Sequence, residues 1–343
     1  MENRKFVILL SIFFSLTFCS QVFAYEVDTH AFLTNEIVDI YNQNFSNDRI
    51  STGLGNYLID GSRREDDGWR YLNHFYDPVK DRGLSEDAAI DSSYRFGNWQ
   101  KSKDWASDSE NQNGLTYKVP ATIASILTAF EQKKLGDISS ETDFTWQRAI
   151  DYWIKGEKEK SMFALGHVLH LMEDMGVPDH TRNDPHPNNS PYEKWTEQFT
   201  LVNPDSDFYT RIINKKPIVL DNLSSYFDGL AAYSNNNFYS KDTIGIQSGY
   251  NLPQLNLDNY KPINGLYYII NKDISGENYF LIVKKSLKNI LLTNKSDIII
   301  DDELIKSSYW NLLSIKSVQY GAGVIDLFFQ EVAKAESGQN LVE

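Results

Sequence analysis

The histidines of this chain are concentrated in one short window. Four of the six lie between residues 166 and 186, and the window begins with a helical pattern that carries His170 and Asp174. Side chains four positions apart lie on the same side of a helix. The pair is therefore placed either to hold a metal ion or to form a buried hydrogen bond, and a motif of this kind is a hypothesis until its surroundings are known.

The residues that follow predict how the window folds. Gly176 and Pro178 are typical of a helix C-terminus and of the break beyond it. We expect this break to turn His180 back toward the end of the same site. Glu193 follows on a pattern typical of a short helix. We interpret His167, on the same helical stripe, as a buried residue or as one that supports a ligand.

The N-terminus predicts a secretory signal peptide. Residues 1–24 combine a basic start, an apolar run over residues 6–18 and a small residue, Ala24, at the end. The mature chain is expected to begin at Tyr25. A retained short anchor is one alternative, and a lipoprotein modified at Cys19 is another, disfavoured by the bulky residue before it.

Removal of this segment removes the chain's one cysteine. The mature protein then has no disulfide, and any metal must be held by His, Asp, Glu and backbone groups. We read no later segment as a continuous apolar stretch long enough to span a membrane, so we expect a soluble protein that is secreted or periplasmic.

Composition narrows the classes of function. The chain has 343 residues, is 41% hydrophobic and carries a formal net charge of -14, so it can form a core and is not a disordered chain. A strongly acidic protein does not attract polyanions through its long-range field. We therefore expect no stable nucleic-acid partner, and the oligomeric state stays open.

Periodicity predicts a mainly α fold, a multi-helix bundle. Helices are expected over residues 29–43, 121–133, 145–155, 158–175 and 302–333. Residues 68–114 are rich in Asp, Ser, Asn, Gly and Trp, which favours long surface loops around a site. The segment over 202–299 contains a β-hairpin pattern across 266–283 and is interpreted as an insertion or lobe of mixed structure. The predicted division is a signal peptide (1–24), a catalytic domain (25–201), this lobe (202–299) and a closing helix (300–343).

Several motifs together resemble the zinc-dependent bacterial phospholipase C family, which is similar in fold to the fungal single-strand-specific zinc nucleases. The resemblance covers roughly residues 25–200. The motifs are an aromatic mature N-terminus, Thr29-His30, Asp66 followed by His74-Phe75-Tyr76-Asp77-Pro78, Gly166-x-x-x-His170-x-x-x-Asp174-x-x-x-Pro178-x-His180, and Tyr192-Glu193.

The resemblance implies a helical protein with up to three zinc ions in one cleft. Its implied ligands are the α-amino nitrogen and carbonyl oxygen of Tyr25 beside His30 at the first zinc, His74, His170 and Asp66 at the second, Asp174 bridging these two, and His180, Glu193 and His186 at the third. Imidazole and carboxylate are ligands that suit zinc. Asp66 is also the candidate that orients or deprotonates the attacking water.

The chain departs from the family pattern in places. The family has a histidine one turn before the glutamate, and Asn189 stands there, so His186 takes that role. Asp60 and Asp67 are alternatives to Asp66, which is preferred for its distance from the preceding glycine. The N-terminal aromatic is tyrosine where the family has tryptophan, which a backbone ligand tolerates.

The function implied is a secreted hydrolase that cleaves glycerophospholipid head groups with a metal-activated hydroxide, and its substrate is a phospholipid or membrane surface. The alternatives are a zinc-dependent single-strand nuclease and a non-catalytic binding protein of the same fold. Arg182 is placed either to bind a phosphate oxygen or to lie exposed. Aromatic residues in the predicted loops form either a wall for a choline cation or ordinary packing: Tyr71, Phe75, Tyr76, Trp99 and Trp105.

Overall fold

The computed structural model describes residues 27–45, 48–67, 70–85, 98–114, 142–186, 190–244, 249–286 and 298–339. The α-helices in these ranges are α1 (Val27–Asn44), α2 (Thr52–Arg64), α3 (Ser102–Trp105), α4 (Ser109–Gly114), α5 (Trp146–Ile154), α6 (Lys158–Asp174), α7 (Pro178–Thr181), α8 (Pro191–Thr196), α9 (Phe208–Ile212), α10 (Leu223–Asn237) and α11 (Glu303–Gln339). A 3₁₀ helix covers Arg70–Asn73, and the strands are β1 (Tyr260–Ile263), β2 (Leu266–Lys272), β3 (Asn278–Lys284) and β4 (Ile298–Ile299).

The predicted mainly α class with a small sheet in the C-terminal half is confirmed. Four of the five predicted helices correspond to α1, α5, α6 and α11. The fifth, over residues 121–133, lies outside the described residues, as do the predicted signal peptide, Tyr25 and Asn189.

Helix α6 is the central helix of the bundle. Apart from Phe163, every residue from Ser161 to Asp174 is buried, and α6 packs against α1, α2, α5 and α11. A helix that is surrounded on all sides has no polar face for solvent. The polar residues of α6 must therefore find partners inside the protein, because an unpaired buried polar group is costly.

Helices α2 and α6 approach unusually closely at two glycines. A Cβ at Gly61 would lie 2.0 Å from the carbonyl oxygen of Phe163, and a Cβ at Gly166 would lie 2.1 Å from that of Leu58. A side chain at either position would push the backbones apart. This crossing places the C-terminal end of α2 directly against the polar residues of α6.

Helix α11 closes the bundle and supports the sheet. It is long and apolar enough to cross a membrane by length and composition, and 78% of its most apolar window is buried within the protein. Its Tyr309 hydroxyl donates to the backbone oxygen of Leu281 on β3 at 2.8 Å, and Ser308 accepts from the backbone nitrogen of Phe280 at 2.8 Å. The helix therefore contacts both the N-terminal helices and the sheet.

The sheet is antiparallel in the order β1-β2-β3-β4, and the predicted hairpin is its centre. A second, tighter turn joins β1 to β2 at Asn264 and Gly265, whose φ angles are 50° and 79°. Asn-Gly favours a two-residue turn with both φ angles positive, because that turn matches the twist of the paired strands. The sequence therefore carries a local signal for this second hairpin.

The described residues between 202 and 299 pack on the helical bundle. Buried apolar residues of α9, α10, β2 and β3 belong to the same hydrophobic core as α1, α6 and α11. The domain boundaries drawn from the sequence stay a prediction.

Candidate metal centre

The end of α6 organises the site. His170 and Asp174 lie one turn apart on α6, and the helix ends at Asp174. A turn over Met175 and Gly176 follows, and the short helix α7 then begins at Pro178. This path returns the chain, so that His180 Nδ1 lies 3.9 Å from Asp174 Oδ2.

His170 is held with one nitrogen anchored and the other facing carboxylates. Its Nδ1 lies 2.7 Å from the backbone oxygen of Ser62, which must accept a proton from it. Its Nε2 lies 3.3 Å from His74 Nδ1, 3.5 Å from Asp174 Oδ2 and 3.7 Å from Asp66 Oδ1. The close crossing of α2 and α6 is what brings the Ser62 backbone within reach.

His74 completes this group from the segment after the 3₁₀ helix. Its Nδ1 lies 3.0 Å from Asp174 Oδ2 and 3.5 Å from Asp66 Oδ1, while its Nε2 faces Glu65 at 3.8 Å. Its backbone oxygen accepts from His180 Nδ1 at 3.2 Å. All these side chains are buried, so the group forms a closed cluster of two imidazoles and two carboxylates.

His30 reaches the same cluster from α1. Its ring stacks on that of His170 with centroids 3.7 Å apart, and its Nε2 lies 3.4 Å from Asp174 Oδ1. Its Nδ1 donates to Glu173 Oε2 at 2.5 Å, and Glu173 Oε1 accepts from Thr34 at 2.7 Å. A carboxylate behind a histidine is the arrangement that orients metal-binding imidazoles.

The third group consists of His180, His186 and Glu193. The Nε2 atoms of the two histidines lie 3.1 Å and 3.0 Å from the two oxygens of Glu193. His186 Nδ1 donates to the backbone oxygen of Asp184 at 2.6 Å. Glu193 is placed by the start of α8, where the Ser190 side chain accepts from the Glu193 backbone nitrogen at 3.3 Å.

These contacts need more protons than neutral histidines carry, or a cation in their place. His170 and His180 each commit Nδ1–H to a backbone oxygen, and His30 commits its own to Glu173. If the rings are neutral, the second nitrogens of His30 and His180 direct lone pairs at carboxylates, and that of His170 lies between His74 Nδ1 at 3.3 Å and Asp174 at 3.5 Å. An acceptor facing an acceptor is repulsive unless a second proton or a cation lies between them.

Buried atoms without hydrogen bonds mark the same place. Within the described residues, both oxygens of Asp66 and of Asp174, His180 Nε2 and Glu193 Oε1 are buried and have no hydrogen-bond partner. Buried polar atoms are almost always hydrogen-bonded, and an ion is one of the accepted explanations for exceptions. The donor set of imidazole and carboxylate is the set that zinc takes in proteins without cysteine. The residues present therefore fit a metal.

The electrostatics are those of a crowded cluster of charges. Burial raises the pKa of Asp66 to about 7, against the lowering effects of His74 and His30. Burial by itself lowers the pKa of His74, but Asp174, Glu65 and Asp66 together raise it to about 10. Without a metal, the cluster therefore retains protons that a bound cation has to displace.

Glu65 and Glu173 are functional candidates that the sequence reasoning missed. Glu65 accepts from Trp105 Nε1 at 2.8 Å, from Arg70 Nε at 2.7 Å and from His167 Nδ1 at 2.5 Å. Burial opposes ionisation of Glu65, but Arg70 and His167 lower its pKa well below the usual range. Each of the two glutamates directly precedes a predicted ligand, and this was the only signal available in the sequence.

The structure distinguishes among the three aspartates that the sequence offered as ligands. Asp66 lies in the cluster, whereas the Asp60 side chain is 50% exposed and contacts Arg64. Asp67 is half-buried and belongs to none of the described groups that could hold a metal. His167 is buried and stacks on Phe144, as expected for a residue that supports the site.

The structure corrects two sequence-based expectations, one about Arg182 and one about the aromatic residues near the site. Arg182 neither lies exposed nor faces the cluster, because its guanidinium is buried and bonds Thr243 and backbone oxygens. Among the five aromatics, three are buried as packing residues: Phe75, Tyr76 and Trp105. Phe75 stacks on the ring of His180 with centroids 4.5 Å apart and therefore packs against a candidate ligand.

A fourth group, Asp179, Asp184 and His186, lies beside the third. His186 Nδ1 is already bonded to the Asp184 backbone, and Asp179 accepts from Ser190 at 3.0 Å. The Asp184 carboxylate accepts from the backbone nitrogen of Asp242 at 3.2 Å. These contacts connect loops to one another, and we interpret the group as support for the third cluster.

Comparison with known proteins gives a distant likeness. No protein-family model matches the chain, and no curated protein matches it. Among solved structures, the chain is similar to the alpha toxin from Clostridium absonum, with 16% identity and a TM-score of 0.42, over 91% of this chain and 66% of that chain. It is similar in the same way to the alpha-toxin of Clostridium perfringens from avian strain SWCP, with 15% identity and a TM-score of 0.42, over 91% of this chain and 65% of the toxin. The chain thus spans slightly less than two thirds of these toxins, and a likeness at this level assigns no activity.

Proposed function

We propose that this protein is a secreted or periplasmic zinc-dependent phosphodiester hydrolase of the phospholipase C type, acting on the head groups of glycerophospholipids. One observation carries the proposal. Three imidazoles have one nitrogen anchored by an acceptor, and the other nitrogen of each lies 3.1 to 3.5 Å from a buried carboxylate oxygen without a hydrogen bond. A bound cation stabilises this arrangement. Without a cation, the nitrogen lone pairs and the carboxylates repel one another unless additional protons are bound.

The proposed ligands divide among three zinc ions. His74, His170 and Asp66 hold one, and Asp174 is shared with a second that is held by His30 and, through its backbone, by Tyr25. His180, His186 and Glu193 hold the third, for which the structure brings all three side chains together. Tyr25 and any contribution from it lie outside the described residues.

When bound, zinc supplies Lewis-acid chemistry: it makes a water more acidic and neutralises negative charge on a phosphodiester. The residues of the chain orient the reactants. Asp66 is the least buried carboxylate of its cluster, at 7% exposed, and neither of its oxygens accepts a hydrogen bond from a described residue. It is placed to orient the attacking water and to accept its proton.

Support for a lipid substrate comes from charge and from the motif resemblance. A formal net charge of -14 does not favour binding of a long polyanion, whereas a single phosphodiester in a zwitterionic head group meets far less repulsion. Of the aromatics proposed as a wall for a choline cation, Tyr71 and Trp99 are partly buried and pack against the cluster of Leu72, Phe75 and Leu84.

The test compares two substrates on one zinc-loaded sample. We expect at least two zinc ions per chain by elemental mass spectrometry and hydrolysis of phosphatidylcholine vesicles at a higher rate than single-stranded DNA. Asp66→Asn should lower the rate by about 10²- to 10⁴-fold, the range for a lost general base. The matched control is Asp60→Asn, because Asp60 precedes Asp66 by less than two turns and is half exposed.

Fewer than two zinc ions per chain would refute the hydrolase proposal. Faster cleavage of single-stranded DNA on the same sample would replace the lipid substrate with a nucleic acid. The role of Tyr25 has its own test, because only a free amine coordinates zinc. A chain that keeps residues 1–24 should bind one zinc ion fewer than a chain that begins at Tyr25.

A further inference from the structure

The segment between His180 and His186 has a strained backbone. Asn183 and His186 have φ angles of 50° and 35°, in the left-handed region that residues with side chains rarely adopt. Such conformations persist only where surrounding contacts impose them. His186 is a proposed ligand, so whatever imposes its backbone conformation also places its imidazole.

The side chain of Arg182 makes several of these contacts. Its side chain is 1% exposed and inserts into the C-terminal half of the protein. Nε donates to Thr243 Oγ1 at 3.0 Å, and the terminal nitrogen Nη1 donates to the backbone oxygens of Asn235 at 2.6 Å, Phe238 at 3.3 Å and Leu252 at 3.3 Å. The guanidinium therefore binds one side chain and three backbone carbonyls.

Aromatic rings enclose the same guanidinium. Its central carbon lies 5.1 Å from the ring centroid of Tyr239 and 5.3 Å from that of Tyr250. A planar group with donors in fixed directions meets several acceptors and ring faces at once, which a lysine ammonium does not. A buried arginine held in this way is rigid, and it fixes the backbone that carries it.

The residues that flank Arg182 in sequence are also held by hydrogen bonds. The Thr181 backbone oxygen accepts from the Asn235 side chain at 2.6 Å, and the Asp184 carboxylate accepts from the backbone nitrogen of Asp242 at 3.2 Å. Asn183 bonds Ser85 through both side-chain atoms, at 3.1 Å and 2.9 Å. The end of α10 and the chain that follows it thus hold most of this segment.

We propose that Arg182 is a positioning residue for the third zinc site, and that residues 235–244 and 249–252 serve as the scaffold that sets the distance between His180 and His186. The inference rests on the proposed metal centre and assigns a role to a part of the chain that carries no zinc ligand. Without the guanidinium, three carbonyls lose a buried donor and the strained segment relaxes. The His186 imidazole then leaves Glu193.

The test measures zinc content and affinity in the full chain. Arg182→Met should bind one zinc ion fewer than the wild type, or bind its weakest zinc at least tenfold more weakly in competition with a chelator. Arg182→Lys should recover part of this loss because it keeps one donor and the charge. Combining Arg182→Met with His186→Ala should remove no more zinc than His186→Ala alone, because both changes act on the same ion.

The matched control is Tyr226→Phe. Tyr226 also lies on α10, and its buried hydroxyl donates to the Gly323 backbone oxygen at 2.9 Å and accepts from Leu220 at 2.9 Å. It should lower the melting temperature without changing zinc content. If Arg182→Met does not fold, Thr243→Val decides the matter, since it removes one acceptor of the guanidinium and should weaken the same zinc by a smaller factor.

The outcomes separate the two proposals. A wild-type chain that binds fewer than two zinc ions refutes the proposed function, and the inference with it. A wild-type chain that binds three zinc ions, beside Arg182→Met or Thr243→Val variants with unchanged zinc number and affinity, refutes the positioning role alone. Zinc loss in Tyr226→Phe equal to that in Arg182→Met also refutes it, because general destabilisation would then suffice.

Discussion

The contact between α2 and α6 makes a quantitative prediction for Gly61→Ala. The added Cβ would lie 2.0 Å from the Phe163 carbonyl oxygen, and separations below 3.0 Å are essentially never seen. The helices must therefore separate by about 1.0 Å, since the contact is with backbone and no side chain can rotate away. Opening by that amount along the bond from His170 Nδ1 to Ser62 O would stretch it from 2.7 Å to about 3.7 Å, which is no longer a hydrogen bond.

Two energies then add. Overpacking of a well-packed core costs about 1–3 kcal/mol, and loss of a buried hydrogen bond costs about 1–3 kcal/mol more. We expect the free energy of unfolding to fall by about 2–6 kcal/mol in urea denaturation of the metal-free protein. In the zinc-loaded protein, displacement of Asp66 by about 1 Å relative to α6 should lower phosphodiester hydrolysis by about 10²-fold.

The control is Gly53→Ala in the same helix. A Cβ at Gly53 would have Ser51 Oγ as its nearest neighbour, at 4.0 Å, and the position is exposed. Alanine there should leave stability unchanged or raise it by up to about 1 kcal/mol, because alanine is the better helix former. If both variants unfold at the same urea concentration and bind the same number of zinc ions, the glycine crossing does not position the site.

Three further predictions concern the surroundings of the metal. Glu173→Gln keeps an acceptor for His30 but removes the charge behind it, so zinc affinity should fall by about 10- to 100-fold in chelator competition. Trp105→Phe leaves one hydrogen bond to Glu65 unmade and should lower the free energy of unfolding by about 1–3 kcal/mol in urea. Zinc affinity should increase between pH 6 and pH 8, because the pKa values of His30 and His74 are raised to about 10 and zinc must displace their protons. Calorimetry in two buffers should show these protons released.

Each of these has a result that contradicts it. Unchanged zinc affinity in Glu173→Gln would mean that the glutamate only packs against α1. A Trp105→Phe protein as stable as the wild type would mean that Arg70 and His167 suffice for Glu65. Zinc affinity that is constant across pH would mean that His30 and His74 are already neutral before metal binds.

The parts of the fold with local signals were predictable. Periodicity was enough for α1, α5, α6 and α11, because amphipathic or fully apolar helical patterns are visible within one segment, and β-rich runs were enough for the β2–β3 hairpin. The Asn264-Gly265 pair is a local signal of the same kind for the β1–β2 hairpin. The helix break after α6 was readable from Gly176 and Pro178, and with it the return of His180.

The partners of the candidate ligands were not predictable from local patterns. His30 and Glu173 are 143 positions apart, and no periodicity connects them. Arg182 was expected to bind phosphate or lie exposed because charged side chains are rarely buried. Its burial depends on the backbone carbonyls of Asn235, Phe238 and Leu252. Tertiary packing alone sets the position of these carbonyls.

The spread of the site along the chain has a consequence for the order of assembly. Its candidate ligands among the described residues range from His30 to Glu193, and the contacts of Arg182 extend to Leu252. No fragment that ends before Leu252 contains both the third group and all the contacts of Arg182, so a partly synthesised or unfolded chain has little to offer a metal. Contacts so distant in sequence form slowly, so we expect a metal to be acquired late in folding. The zinc concentration that matters is then that of the compartment where the chain finishes folding.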